Sequence, residues 1–256
     1  MKGKRAVGRG QSADGVDASK SRDIAELAAM VRACRACPLS EGRKNAVPGE
    51  GGGKRGIVFV GEAPGAKEDA QGRPFVGQAG KILNGLLKKN GMLREEVFIT
   101  NVVKCRPPGN RPPKPNELAA CMPYIQRQFE LLGPAVVCPM GNSAARALLD
   151  PKANITDMHG RIVEKDGRRF MPLYHPAAIL YNRKLMKEME KDFEELGKLA
   201  KFAGTPRASA RGGMGSGELR EKPPASQIWP AGQIGERTHS PQGMRSSAGG
   251  RIVEEG

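Results

Sequence analysis

From about residue 21 to residue 202, short apolar runs alternate with stretches whose apolar residues recur at helical spacing. Gly56-Ile57-Val58-Phe59-Val60 is β-branched and aromatic and predicts a buried strand, and Lys81-Ile82-Leu83-Asn84-Gly85-Leu86-Leu87 carries the spacing of a helix face. Glu95 to Val103 predicts the next strand, with Asn101 near its end. Leu118, Cys121, Met122, Ile125, Phe129 and Leu132 fall on one face of a helix over 117–132, and Ala135 to Met140 reads as a third strand. Gly141 to Leu149 predicts another helix, 160–164 and 169–173 a hairpin, and 182–201 a charged amphipathic helix. Near the start, Ile24, Leu27, Ala28 and Val31 mark a helix with Ser21 as its expected N-cap. Strands and helices alternating through short connectors predict an α/β fold: one domain over 21–202, a three-layer α/β/α sandwich with a central, mostly parallel sheet.

The segment from Gly61 to Gly80 links the first strand to a helix, which is where open α/β sheets place ligand sites. It does not fit a phosphate-binding loop. Gly80-Lys81 is followed by Ile82 rather than Ser or Thr, and Glu62 and Glu68 would repel phosphates. Carboxylates here suit instead a reaction that develops positive charge.

Composition changes the picture at the two ends. Only 38% of the 256 residues are hydrophobic, with 34 Gly and 20 Pro, so part of the chain is expected not to fold. Residues 1–20 read as a disordered basic arm and 203–256 as a disordered low-complexity tail, in which Ile228-Trp229 stands out as a short docking motif or an incidental aromatic. A net charge of +15 points to a polyanionic partner, with a membrane surface as the competing reading. No apolar run approaches the length of a membrane span, which predicts a cytoplasmic protein.

Five cysteines in a reducing compartment favour metal or cluster ligation over disulfides. Cys34 and Cys37 form a C-x-x-C turn, whereas Cys105 and Cys121 stand far apart in sequence, unlike the second knuckle of a zinc ribbon. On spacing alone the four suit zinc or a 4Fe-4S cluster equally. Cys138, inside the run 135–140, reads as a buried structural thiol. Between Cys105 and Cys121 runs a proline-rich basic loop, Arg106 to Pro115, that could touch a phosphate backbone or simply be a solvated linker.

These motifs together resemble the iron-sulfur uracil-DNA glycosylases of family 4. The resemblance rests on Gly61-Glu62-Ala63-Pro64-Gly65 with Glu68-Asp69 and Gly72-Arg73-Pro74-Phe75-Val76-Gly77, on Ile99-Thr100-Asn101-Val102-Val103-Lys104-Cys105-Arg106-Pro107-Pro108, on Tyr174-His175-Pro176-Ala177, and on the four cysteines. It spans about 21–200 and implies a uracil-DNA glycosylase-like sandwich. It also implies a structural 4Fe-4S cluster on Cys34, Cys37, Cys105 and Cys121, and hydrolysis of the N-glycosidic bond of uracil flipped out of single- or double-stranded DNA.

Within that resemblance His175 donates to uracil O2, Asn101 reads N3–H and O4, Phe75 stacks on the base, and Gly61 lines the pocket. Glu62 and Glu68 share stabilisation of the sugar cation and orientation of the attacking water. Gly65 offers no bulk against the thymine methyl group, which leaves that discrimination to other residues such as Glu68. The chain has Tyr181 where the family often has an arginine, and Arg183 stands nearby as a substitute. No histidine lies between Cys105 and Cys121, so the expected product is a free abasic site rather than a cross-link. The reading is of a monomer, nucleoid-associated when it acts on DNA, whose tails bind a sliding clamp or another repair protein. The competing reading is a noncatalytic iron-sulfur protein that binds nucleic acid.

Overall fold

A computed structural model of the protein describes residues 17–202. All of them fall in one compact unit, Met1–Arg207; a second unit, Ala208–Gly256, lies outside the described residues. So do the expected tail and all but the last four residues of the expected arm. Those four are not disordered: Asp17 caps a 3-10 turn, Ala18–Lys20, in which Ala18 is buried.

Five strands form one sheet in the order β2-β1-β3-β5-β4. They are β1 (Ile57–Gly61), β2 (Phe98–Asn101), β3 (Val136–Pro139), β4 (Val163–Lys165) and β5 (Arg168–Phe170). β1 pairs in parallel with β2 and β3, and β3 with β5; only the β4–β5 hairpin is antiparallel. Its turn at Asp166-Gly167 has two positive φ angles, 50° and 72°, the geometry that lets a two-residue turn follow the strand twist. The mostly parallel sheet expected from the sequence is therefore present.

Around it lie α1 (Ile24–Ala33), α2 (Leu39–Gly42), α3 (Ala66–Gln71), α4 (Gln78–Lys89), α5 (Pro115–Leu132), α6 (Gly141–Leu148), α7 (Ile155–Met158), α8 (Ala178–Tyr181) and α9 (Leu185–Phe202). β1 is buried on both sides. Ile57 and Phe59 face a core with Leu83, Leu86 and Leu87 of α4 and Met189, Phe193 and Leu196 of α9. Val58 and Val60 face the opposite core, with Ile125 and Phe129 of α5 and Ala144 and Leu148 of α6. This is why β1 reads as an unbroken apolar run rather than an alternating one. A third cluster, between α1, α5 and the segment after β2, holds Cys34, Cys105 and Cys121.

Three local expectations shift. The first helix is capped by Asp23, whose carboxylate accepts from the Glu26 amide at 2.8 Å, while Ser21 is buried and donates to Ala18 O. Residues 94–96 form a 3-10 turn rather than strand, because Glu96 accepts from the Leu93 amide and pairs with Arg55. Between β1 and α4 the chain inserts α3, bounded by glycines at 65 and 72; Gly72 takes the left-handed conformation, φ +68°, that closes a helix.

The chain passes from β1 to β2 on one side, then crosses to the other side for β3, and α4 and α6 lie on opposite faces. Strand order thus reverses at β1, and the carboxyl ends of β1, β2, β3 and β5 lie along one edge of the sheet, where open α/β sheets place ligand sites.

Candidate active site

Gly61 and Asn101 end β1 and β2 in register with each other. A Cβ on Gly61 would lie 2.4 Å from Asn101 Oδ1 and 2.6 Å from Phe75 Cζ, so only glycine lets these two side chains meet at the strand ends. Asn101 is 1% exposed, and its Oδ1 has no hydrogen-bond partner among the described residues. Leaving a buried acceptor unpaired costs about 1–3 kcal/mol, which makes the atom a candidate ligand contact.

Phe75 is buried and takes φ +50°, a left-handed conformation that a bulky residue adopts only when its surroundings impose it. Two groups impose it here. Glu68 Oε1 accepts from the amides of Val76 and Gly77 at 2.9 and 2.8 Å, and Arg94 donates to Pro74 O. Arg94 is in turn paired with Glu50, which also holds Arg73, each at 2.7 Å. On the inner side, Gly80 lets α4 approach: a Cβ there would lie 1.8 Å from Phe75 O.

β5 leads through Leu173, bridged to Met140, to Tyr174 and His175. The backbone amide of Ala177 donates to His175 Nδ1 at 3.1 Å, which leaves the ring proton of the neutral form on Nε2. Burial lowers the His175 pKa to about 4, with Glu68 acting weakly in the other direction, so the ring is a neutral donor at physiological pH. Its centroid lies 5.5 Å from that of Phe75. Gly141, at φ +82°, passes behind it, where a Cβ would lie 3.0 Å from His175 Cβ. Tyr174 packs at 4.4 Å on His159, which is hydrogen-bonded to Asp192 of α9.

Glu62 continues from β1 and accepts through its backbone carbonyl from Val103 at 3.1 Å, while its partly exposed carboxylate makes no hydrogen bond to another described residue. Glu68 differs. One oxygen is committed to the 76–77 amides, and Oε2 lies 2.8 Å from where a Cβ of Gly65 would stand, so the carboxylate fills the space that Gly65 leaves. The structure therefore brings Gly61, Phe75, Asn101 and His175 together, with Glu68 against the loop that carries Phe75.

Cys34, Cys105 and Cys121 are buried in one cluster, with Cys37 packed against it; Cys138 lies apart, inside β3. Arg43 donates to Cys105 Sγ at 3.0 Å and to Arg32 O, and the Ala36 amide reaches Cys34 Sγ at 3.5 Å. N–H groups and a guanidinium aimed at sulfur are the environment that thiolates require; burial still raises the pKa of Cys105, with Arg43 acting against it. Among the described residues no three His, Cys, Asp or Glu groups converge closely enough for a single metal ion.

Between these cysteines and Asn101 stands Lys104, 1% exposed. Its Nζ donates to Thr100 Oγ1, Asn101 O and Gln128 Oε1 at 2.7, 2.8 and 2.9 Å. Burial lowers its pKa to about 7, and the sulfurs of Cys121 and Cys105 oppose that shift.

Sequence reasoning overlooked Glu50, Arg94, Arg43, Lys104 and Asp69, whose carboxylate anchors the Lys44 and Asn45 amides. Lys104 alone carried a readable signal, a lysine among the apolar residues that end a strand. The other four act across long sequence separations that no local pattern reveals.

Residues 48–197 match the family model described as the uracil DNA glycosylase superfamily. The chain is 46% identical over 180 residues to a type-4 uracil-DNA glycosylase of Sulfurisphaera tokodaii, covering 66% of this chain and 81% of that protein. It is 43% identical over 182 residues to the type-4 enzyme of Archaeoglobus fulgidus, covering 68% and 92%, and 46% identical over 155 residues to that of Thermotoga maritima, covering 60% and 81%.

Proposed function

The chain belongs to the uracil DNA glycosylase superfamily, with type-4 enzymes among its relatives, and from that premise we propose how its own residues do the work. It is a uracil-DNA glycosylase of DNA repair, hydrolysing the N-glycosidic bond of a flipped uracil and leaving an abasic site. The observation that carries the assignment of roles is the buried, unpaired Asn101 Oδ1 at the end of β2. Uracil N3–H is a donor for that atom and O4 an acceptor for the Asn101 amide, whereas cytosine presents the reverse pattern.

Bond cleavage places negative charge on uracil O2 and positive charge on the sugar. His175, held with its proton on Nε2, donates to O2; one such donor is worth about 10²–10³ in rate. Phe75 supplies the stacking face. Glu62, with its uncommitted carboxylate, faces the developing sugar cation and orients the water. Glu68 acts mainly by holding the 75–77 loop and filling the space beside Gly65, where it opposes a 5-methyl group.

Cys34, Cys37, Cys105 and Cys121 form a donor set that fits a 4Fe-4S cluster. All four are cysteines, and they belong to one packed cluster in which Cys34, Cys105 and Cys121 are buried and Cys37 packs against them. These four cysteines would hold such a cluster between α1, the segment after β2 and α5, where it would serve to join those elements.

The net charge of +15 supports binding to DNA in either strand state. Leu180 and Tyr181, 52% and 91% exposed directly after the His175 segment, offer an apolar wedge beside the site, and the exposed Arg183 follows them. Among the described residues no helix is long and apolar enough to cross a membrane. A clamp-binding role for the tails concerns residues outside those described.

The reading is tested by incubating the protein with a single-uracil oligonucleotide and separating free base from DNA. Free uracil with alkali-labile DNA, and no protein retained on DNA in denaturing gels, is expected. Protein cross-linked to the DNA would overturn the hydrolytic product.

A further inference from the structure

We propose that Lys104 is the positioning residue for Asn101, holding the end of β2 against α5. The inference rests on the reading of Asn101 as the uracil reader.

The three N–H groups of the Lys104 ammonium are all used: Thr100 Oγ1, Asn101 O and Gln128 Oε1 accept at 2.7, 2.8 and 2.9 Å. Two of these acceptors belong to the last two residues of β2. The third is fixed from behind, since Gln128 Nε2 donates to Pro48 O. Lys104 itself is anchored by its carbonyl, which accepts from the Val47 amide at 2.7 Å. The ammonium therefore pins the end of β2 to α5 at the residue that must present an amide to the base.

All three acceptors are neutral. Their arrangement around the Lys104 head group fixes the end of β2 against α5.

The test is a double-mutant cycle with Lys104→Met and Asn101→Ala, read by uracil release and by calorimetric titration with free uracil, with visible absorbance reporting the cluster. Lys104→Met is expected to weaken both free-uracil affinity and kcat/KM by about 10- to 100-fold, the size expected for losing a hydrogen bond from a charged group. In the Asn101→Ala background the same change is expected to cost less than about twofold, because the residue it positions is gone. Equal losses in both backgrounds would overturn the inference while leaving Asn101 as the reader. Wild-type behaviour of Asn101→Ala would overturn the reading of Asn101 itself. Should Lys104→Met fail to fold, Gln128→Met removes one acceptor with Lys104 in place and carries the same cycle; independence from Asn101 there would equally overturn it.

Discussion

The ring of Phe75 lies 5.5 Å from that of His175 and is tilted 33° to it, although the two residues are a hundred positions apart and reach the site from β1 and β5. The contact joins the stacking group to the O2 donor, and Gly61 and Asn101 complete it from the strand ends. Changes at any of these positions therefore act through a shared packing arrangement as well as through their own chemistry.

Gly61→Ala places a methyl group within 2.6 Å of both Asn101 Oδ1 and Phe75 Cζ. Neither neighbour is free to move far, since Phe75 is clamped by Glu68 and Arg94. The variant is expected to lose at least about 1–3 kcal/mol of stability through overpacking, and most of its activity. Thermal unfolding and initial rates check both effects.

Glu68 separates two roles by substitution. Glu68→Gln keeps an oxygen for the Val76 and Gly77 amides, whereas Glu68→Ala leaves both without that acceptor. The alanine variant is expected to melt lower, by about 1–3 kcal/mol, and to lose activity, with the glutamine variant close to wild type in stability. Equal melting of the two variants would show that the carboxylate is not the clamp.

The pH dependence follows from His175, whose pKa falls to about 4 in the folded protein because burial disfavours the imidazolium. The unfolded chain takes up this proton first, near pH 6.5. The stability that neutral His175 contributes is therefore complete above about pH 6.5 and is lost as the pH falls towards 4, on the order of 3 kcal/mol. Relative to His175→Asn, the wild type should lose stability more steeply across that window. Its kcat/KM should show no inflection between about pH 6 and 8 from this residue.

If the four cysteines hold the proposed cluster, its removal should unfold the region around α1 before the sheet. Cys121→Ser is expected to purify with little iron and to show faster proteolysis or amide exchange over 24–46, with the β1–β3 core protected. Wild type should carry about four irons per chain. Wild-type iron content in the Cys121 variant would remove this residue from the ligand set.

Much of this arrangement is legible in the sequence because it is local. An apolar run buried on both faces announces β1, glycines bracket the loop that must pass close to a pocket, and Asn101 and His175 sit where strands end. What the sequence hides is the support. That one oxygen of Glu68 holds two amides cannot be read from its motif. Glu50 shows nothing until Arg73 and Arg94 converge on it. The helix α3 is missed because six residues between glycines carry too little periodicity to stand out. The cysteines were readable as a set, yet their spacing alone did not choose between zinc and a cluster.

The most direct test of the account compares uracil release by the wild type, His175→Ala and Asn101→Ala on oligonucleotides containing a single uracil, cytosine or thymine. Release confined to uracil is predicted, falling by about 10²–10³ in the His175 variant while the visible spectrum of the cluster is unchanged. Undiminished release by His175→Ala, or no release from wild-type protein with its iron in place, would contradict it.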